Sequence, residues 1–291
     1  MHSAQELVTC IESLAALPSV YYRVREQLES PDGSTSEVAR LVETDPALTT
    51  GVLKLVNSAF YGFSRKIESV ERAIIVLGLK QTHELVLAIT VSNVFSGICP
   101  QYMDMKRYWI GCMITALTAR ELAHLTCNPA AGRLFVIGLL ADIGHLVMYQ
   151  TVPDLTIEAQ AIADVRNESL YEAERRIVGC DSAEVGAALM DNWKLPPSFA
   201  EVIGAQITPR LAGKHVTEAE LLHIALAVSK ADRYNEPSEQ ALQRIDQRIW
   251  NNLRLDPSIF PRIREAVEMS LSLCTAVLFP AQPDTPPFHG V

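Results

Sequence analysis

The sequence has no excess of basic residues. It contains 34 Asp and Glu against 25 Lys and Arg, which gives its 291 residues a formal net charge of −9. A protein that binds nucleic acid non-specifically needs a basic surface to neutralise phosphates. The average charge therefore argues against a general nucleic-acid binder, although it leaves room for a local basic patch.

The sequence also lacks an uninterrupted apolar run of the roughly 20 residues that a membrane span needs. Residues 85–98 are too short, and residues 134–150 are interrupted by Asp142 and His145. The N-terminal residues do not join a basic start to an apolar run, so no signal peptide is expected. The six cysteines have no CxxC spacing and are expected to be buried or free thiols. These features predict a soluble cytoplasmic protein.

The period-two alternation of strands is absent, and apolar residues repeat at helical spacing along most of the chain. Helix starts are marked locally, since Asp45-Pro46 is typical of an N-cap followed by the first helical residue. Apolar residues make up 48% of the chain, enough for a globular core. The predicted fold is all-α, an irregular domain of short helices with no significant sheet.

No GxSxG, P-loop, GxGxxG or HExxH motif is present. Two other regions have specific content. The first runs from Thr44-Asp45-Pro46 through Asn57-Ser58-Ala59 to Leu77-Gly78. The second contains Ala141-Asp142 within an apolar run and is followed by residues 179–186.

Over residues 16–234, these two regions make the chain resemble the HD-related output domain (HDOD) family. The resemblance implies a bacterial, all-α, cytosolic and regulatory protein. We accordingly predict a core at 10–235, divided into an N-terminal lobe at 10–104 and an HD-like lobe at 105–235. Residues 236–279 are expected to be helices packed on this core. The proline-rich tail at 280–291 is expected to be disordered.

In the related HD phosphohydrolases, histidines and aspartates together hold one or two metals that activate water. The resemblance places the first histidine at or near Gly111 and the His-Asp pair at Ala141-Asp142. The later aspartate matches Asp232, and further histidines would fall near Ser182 and Ala205-Gln206. Glycine and alanine cannot ligate a metal, so the motif is degenerate. No metal, cofactor or catalytic residue is expected.

Asp142 and Asp232 remain, and two interpretations of them stay open. The structural one is that each is buried and bonds backbone N–H groups or caps a helix end. The functional one is a remnant pocket that binds a small ligand. His145 is interpreted as an isolated surface or core histidine, and so are the histidines at helical positions elsewhere: His83, His124 and His223.

A candidate partner surface follows the Asp45-Pro46 helix and comprises Asn57, Tyr61, Phe63, Arg65 and Lys66. Aromatic residues beside a basic pair are typical of interfaces. The alternative is that Asn57 caps the helix and the aromatic residues pack into the core.

The leading hypothesis is a non-catalytic signalling module that binds another signalling protein. One alternative is a divergent metal-dependent phosphohydrolase that uses Asp142 and Asp232. The other is a sensor of a nucleotide or small ligand in the former HD cleft. Membrane and nucleic acid are not expected as partners, whereas a small nucleotide ligand is compatible with the sequence.

Overall fold

The structure is a computed structural model that describes residues 1–11, 16–30, 33–58, 61–63, 65–96, 103–233 and 237–278. Side chains are described throughout these ranges except at 29, 95–96, 232–233, 238–239 and 272–278. About 78% of the described residues are helical, and no strand occurs among them. The all-α prediction is therefore confirmed. The predicted tail at 280–291 lies outside the described residues.

The α-helices follow one another with short connections. In chain order they are α1 (Ala4–Cys10), α2 (Ser19–Glu29), α3 (Thr35–Glu43), α4 (Pro46–Val56), α5 (Val70–Ser96), α6 (Met105–Leu125), α7 (Ala131–Leu140), α8 (Ile143–Thr151), α9 (Pro153–Arg166), α10 (Leu170–Ile177), α11 (Ser182–Asn192), α12 (Pro197–Gly204), α13 (Val216–Arg233), α14 (Ser238–Gln243), α15 (Gln247–Leu253) and α16 (Phe260–Leu278). Short 3-10 turns occupy Pro209–Leu211, Gly213–His215 and Pro257–Ile259.

Local side-chain chemistry sets several of these helix starts. The Asp45 carboxylate accepts hydrogen bonds from two N–H groups of the first turn of α4, at 2.8 and 3.1 Å. Pro46 occupies the first position of that helix, where its missing N–H has no cost. Asp181 and Glu184 form a reciprocal capping box at the start of α11. The start of α4 is where the sequence predicts it.

Helices α2 to α5 pack together in the N-terminal half of the molecule. Helix α5 is kinked at Gly78, which has a φ of 79° and a ψ of 163°. A glycine adopts this conformation readily because it has no Cβ. The sequence predicts that Gly78 ends a helix, and the helical dihedral angles do break there. A second helical segment follows at once, so α5 consists of two helices joined at this kink.

In the second half, α6 packs against α7 and α13, and α8 packs against α11. The α8–α11 contact is close because a Cβ on Gly144 would lie 1.8 Å from the Ser182 carbonyl oxygen. Helix α16 packs on α6, α5 and α4, and so contacts both halves. Helix α1 precedes the predicted core start at residue 10, yet it packs on α8 and α11 and buries Leu7 and Val8.

Within the described part of the chain, two helical stretches are long and apolar enough to cross a membrane by length and composition, Val70–Val94 and Ala131–Thr151. The first is longer than the sequence estimate because it includes both segments of α5, which the kink at Gly78 separates. The second is 89% buried inside the fold and the first 56%. Core helices of soluble proteins pass the same test, so these stretches are weak evidence for a membrane protein.

Candidate functional site

A buried charge cluster lies where α8, α10 and α11 meet. The His145 Nδ1 atom is 2.5 Å from the Asp142 carboxylate, and the Nε2 atom is 2.7 Å from the Glu174 carboxylate. The three residues are only 8%, 6% and 0% exposed, in the order Asp142, His145 and Glu174. Both ring nitrogens face carboxylates, so the imidazole donates a hydrogen bond on each side and is held as an imidazolium. We call these residues the His145 cluster.

Backbone geometry brings the three helices to this point. Asp142 and His145 are three residues apart, so they share one face at the start of α8. The second oxygen of Glu174 accepts a hydrogen bond of 2.9 Å from the Ser182 N–H, which is an otherwise unpaired donor at the start of α11. Gly144 allows α11 to come close enough for this bond, as its missing side chain leaves room for the Ser182 carbonyl.

Burial alone lowers the pKa of His145, because it disfavours the charged ring. The charges and hydrogen bonds of Asp142 and Glu174 outweigh burial and hold the pKa well above its usual value. Asp181, next to Ser182, has a raised pKa because its carboxyl is desolvated. Arg175 lies 2.6 Å from the Asp181 carboxylate on its solvent side.

The structural interpretation of the sequence expects Asp142 to cap a helix end or bond backbone N–H groups, and the structure shows a different partner. Asp142 precedes α8, but its side chain makes no capping hydrogen bond to that helix and binds His145 instead. His145 is buried between two carboxylates and is not isolated. Asp232 belongs to α13, three residues after Ser229, and its side chain lies outside the description.

The positions matched to HD histidines have other roles here. The Gly111 carbonyl accepts hydrogen bonds from the hydroxyls of Thr115 (3.0 Å) and Ser229 (2.8 Å), the second of which joins α6 to α13. Ala141 is 1% exposed in the core. Among the described residues, no group of three or more His, Cys, Asp or Glu side chains is arranged to hold a metal ion.

One residue of the candidate partner surface, Asn57, is exposed, but its side-chain amide forms hydrogen bonds within the chain. The Asn57 amide donates to the Leu53 and Ile67 carbonyls at 2.8 and 2.7 Å and accepts from the Ile67 N–H at 2.7 Å. These bonds occupy both amide hydrogens, so Asn57 fixes the ends of the loop that follows α4. These bonds support the capping alternative for Asn57, and its part in recognition stays a prediction.

The other four residues of that surface are also at least partly exposed. Tyr61 is half-buried and packs on the core, and its ring is parallel to that of Phe63 with centroids 6.1 Å apart. Phe63 is 40% exposed, and Arg65 and Lys66 are exposed. Gly62 has a φ of 63°, which turns the chain between the two rings. We call Tyr61, Phe63, Arg65 and Lys66 the aromatic–basic loop.

Tyr61 also lines a groove of about 350 Å³ between α5, α6 and α7. The basic residues Lys80, Arg120 and His124 line the same groove, as does Glu84. Burial raises the pKa of Glu84 to about 7, against the opposing charges of Lys80 and Arg133. The groove and the aromatic–basic loop therefore form one continuous surface, which we call the loop–groove face.

A family model for the HDOD domain matches residues 14–209 of the chain. The chain belongs to the HDOD family. The match covers most of the range over which the sequence resembles this family. It includes α6, α8 and the His145 cluster, and it ends before α13.

Two curated relatives are uncharacterized proteins. One is from Treponema pallidum (strain Nichols), 28% identical over 69% of this chain and 39% of its own length. The other is YuxH from Bacillus subtilis (strain 168), 25% identical over 44% of this chain and 30% of its own length. The chain thus spans well under half the length of the curated relatives it matches.

Solved HDOD-like structures share the fold. An HDOD domain protein of unknown function from Geobacter sulfurreducens superposes with a TM-score of 0.68 at 24% identity, over 91% of this chain and 96% of its own. A proposed phosphohydrolase from Shewanella amazonensis gives 0.74 at 22% identity, over 95% and 99%. A proposed signal transduction protein from Marinobacter aquaeolei gives 0.68 at 23% identity, over 92% and 60%.

Proposed function

We propose that this HDOD chain is a non-catalytic regulatory module that acts by binding another signalling protein. One observation carries the proposal: Gly111 and Ala141 stand where the family resemblance puts histidine ligands. Neither residue has a ligating side-chain atom. The Asp142 carboxylate, which would have been a ligand, binds the buried His145 ring. The residues of this region thus support a structural role better than hydrolysis of a phosphate ester.

The loop–groove face is the surface that we propose for recognition. It combines a stacked aromatic pair, Tyr61 and Phe63, with four cations that have accessible positions: Arg65, Lys66, Lys80 and Arg120. In a chain with a net charge of −9, such a local positive surface would steer an acidic segment of the partner. Tyrosine and arginine supply much of the binding energy at protein interfaces. A cytoplasmic location belongs to the same proposal, and cell fractionation tests it.

The first test is enzymatic. The purified chain is analysed for bound metals and assayed with bis-p-nitrophenyl phosphate and p-nitrophenyl phosphate in Mn²⁺, Fe²⁺ or Mg²⁺. We expect neither a stoichiometric metal nor turnover. Hydrolysis that is lost in Asp232→Asn, with the fold intact, would favour the phosphohydrolase alternative over our proposal.

The second test is binding. The tagged chain captures partners from its host, and association of the main partner is then measured by surface plasmon resonance. We expect the double variant Arg65→Glu, Lys66→Glu to slow association about tenfold, because it reverses the steering charge. Arg166→Glu at the exposed end of α9 is the matched control and should associate like the wild type. Equal rates for both variants would place the interface elsewhere.

A further inference from the structure

Helix α9 lies at the outside of the molecule, where it packs on α10 and α8. Small residues hold its inner side, since Ala159 and Ala163 form with Ala173 of α10 an apolar cluster separate from the main core. The outer side of a surface helix normally carries polar and charged residues. The outer side of α9 departs from this pattern.

An apolar row runs along the outer side of α9. Ile157, Ala161 and Val165 follow one another at four-residue spacing, which places them side by side on the helix surface. Ile157 is 36% exposed, Val165 is 87% exposed, and Ala161 is exposed as well. Valine forms helix less readily than alanine, so neither helix formation nor burial explains an exposed valine here. We call these three residues the α9 ridge.

Acidic side chains flank the α9 ridge on both sides. Asp154 and Glu158 lie three residues before Ile157 and Ala161, so they occupy the neighbouring row on one side. Asp164 lies three residues after Ala161 and occupies the row on the other side. All three carboxylates belong to exposed residues. The outer side of α9 is therefore an apolar row between two acidic edges.

Basic residues near this surface lie at its C-terminal end. Arg166 is the last residue of α9, where the helix dipole favours a cation, and Arg176 of α10 binds Glu168 just beyond that end. The chain as a whole has a net charge of −9. A basic occupant is attracted both by the acidic edges and by the whole chain, whereas an acidic partner or a second copy of the chain is repelled.

We propose that the α9 ridge docks an amphipathic helix of a protein partner, in which an apolar row is flanked by lysine or arginine. Rows of four-residue spacing interdigitate when two helices pack, and the small Ala161 at the centre of the ridge allows a close approach. The partner's cations pair with Glu158 and Asp164. This inference goes beyond the proposed function, because neither the ridge nor its edges share a residue with the loop–groove face.

The test uses the intact chain and a fluorescein-labelled model helix of alanines that carries leucines at four-residue spacing with lysines on both sides. Binding is measured by fluorescence anisotropy. One peptide is expected to bind per chain, and its affinity should fall as sodium chloride is raised from about 0.05 to about 0.3 M, because salt screens exposed charges. Peptides with glutamate for lysine, or serine for leucine, should bind at least tenfold more weakly.

Variants of the chain locate the site. The double variant Glu158→Lys, Val165→Ser should weaken binding of the lysine–leucine peptide at least tenfold, and it should keep the fold because both residues are exposed. The matched control is Glu265→Lys, Met269→Ser, which changes an exposed acid and an exposed apolar residue on α16 and should bind like the wild type.

Three outcomes would overturn the inference. The first is the absence of peptide binding by the folded wild-type chain. The second is equal affinity in the two double variants, which would show general attraction to an acidic protein. The third is a dimer in sedimentation velocity that Glu158→Lys, Val165→Ser dissociates, since a second copy would then cover the ridge. The variants at Arg65 and Lys66 should leave peptide affinity unaltered, so failure of one proposal is separable from failure of the other.

Discussion

Replacing His145 with glutamine should destabilise the protein strongly. The substitution removes the only cation of the described cluster and leaves the fully buried Glu174 carboxylate without its ion-pair partner. Breaking a buried ion pair in this way costs roughly 3–5 kcal/mol. The expected loss is a large fraction of the 5–15 kcal/mol that typically separates folded from unfolded protein. Urea denaturation at pH 7 measures it.

The same cluster should give the stability a defined pH dependence. The pKa of His145 is raised in the folded state, so the folded protein keeps a proton that the unfolded chain releases above a pKa of about 6.5. The cluster's contribution is thus complete below that pH and is lost as pH rises toward the folded-state pKa. The free energy of unfolding should fall by up to about 1.4 kcal/mol per pH unit in this window.

Between pH 7 and 8.5, His145 is expected to contribute most of the pH dependence of the free energy of unfolding. Burial raises the pKa of Glu84 to about 7, so most of its contribution to the slope lies at lower pH. Burial raises the pKa of the Cys180 thiol to about 11, and its contribution begins only where an ordinary thiol ionises, near 8.5. A decline of the wild-type free energy of unfolding between these limits is therefore assigned mainly to the cluster.

The experiment compares the wild type with the double variant His145→Gln, Glu174→Gln, which removes the imidazolium and one of its carboxylates. The decline between pH 7 and 8.5 should be present in the wild type and largely absent in the double variant. His124→Gln, which removes an exposed histidine, is the matched control and should keep the wild-type slope. A wild-type free energy that is flat over this interval, or His145→Gln costing under about 1 kcal/mol, would refute the reasoning.

Three further predictions concern stability. Glu84→Gln should stabilise the protein by up to about 3 kcal/mol at pH 8 and have little effect at pH 4.5. The pKa of Glu84 is raised to about 7 in the folded state, so its ionisation lowers the free energy of unfolding as the pH rises from 4.5. Equal effects at both pH values in urea denaturation would contradict this. Gly144→Ala should lower the melting temperature far more than Gly204→Ala. The new Cβ at position 144 would lie 1.8 Å from the Ser182 backbone oxygen, whereas the one at position 204 would meet only a methyl group at 3.3 Å. Similar melting temperatures of the two variants would show that α8 and α11 separate easily. Asn57→Ala should cost about 2 kcal/mol in urea denaturation through three lost hydrogen bonds; a loss below about 0.5 kcal/mol would show that solvent replaces them.

The all-α class of the fold and several helix starts were predictable because they depend on residues that are close together in the sequence. Asp45, Pro46 and the Asp181–Glu184 pair act on N–H groups within three residues, so spacing alone indicates them. The kink at Gly78 was only half predictable. Glycine signals a break in a helix, but tertiary packing decides whether another helix follows directly.

The His145 cluster was missed because its three members come from two distant stretches of sequence. The i, i+3 spacing of Asp142 and His145 indicates that the two side chains are able to contact each other. The interpretation of His145 as an isolated histidine overlooked this signal. Glu174 lies 29 residues further on, in a helix that also carries Glu172 and Arg175. Charge alone does not show which of these faces inward.

Periodicity, however, does distinguish Glu174 from its charged neighbours. It lies three residues after Tyr171, which is buried, and three before Ile177, which packs on a core cluster, so it occupies the apolar face of α10. A carboxylate on an apolar face must find a cation or donors, and the apolar run that contains His145 offers the buried cation. At the Tyr171 end of the same face, the Tyr171 hydroxyl accepts a hydrogen bond of 2.8 Å from Lys230, so α10 is joined to α8 through Glu174 and to α13 through Tyr171.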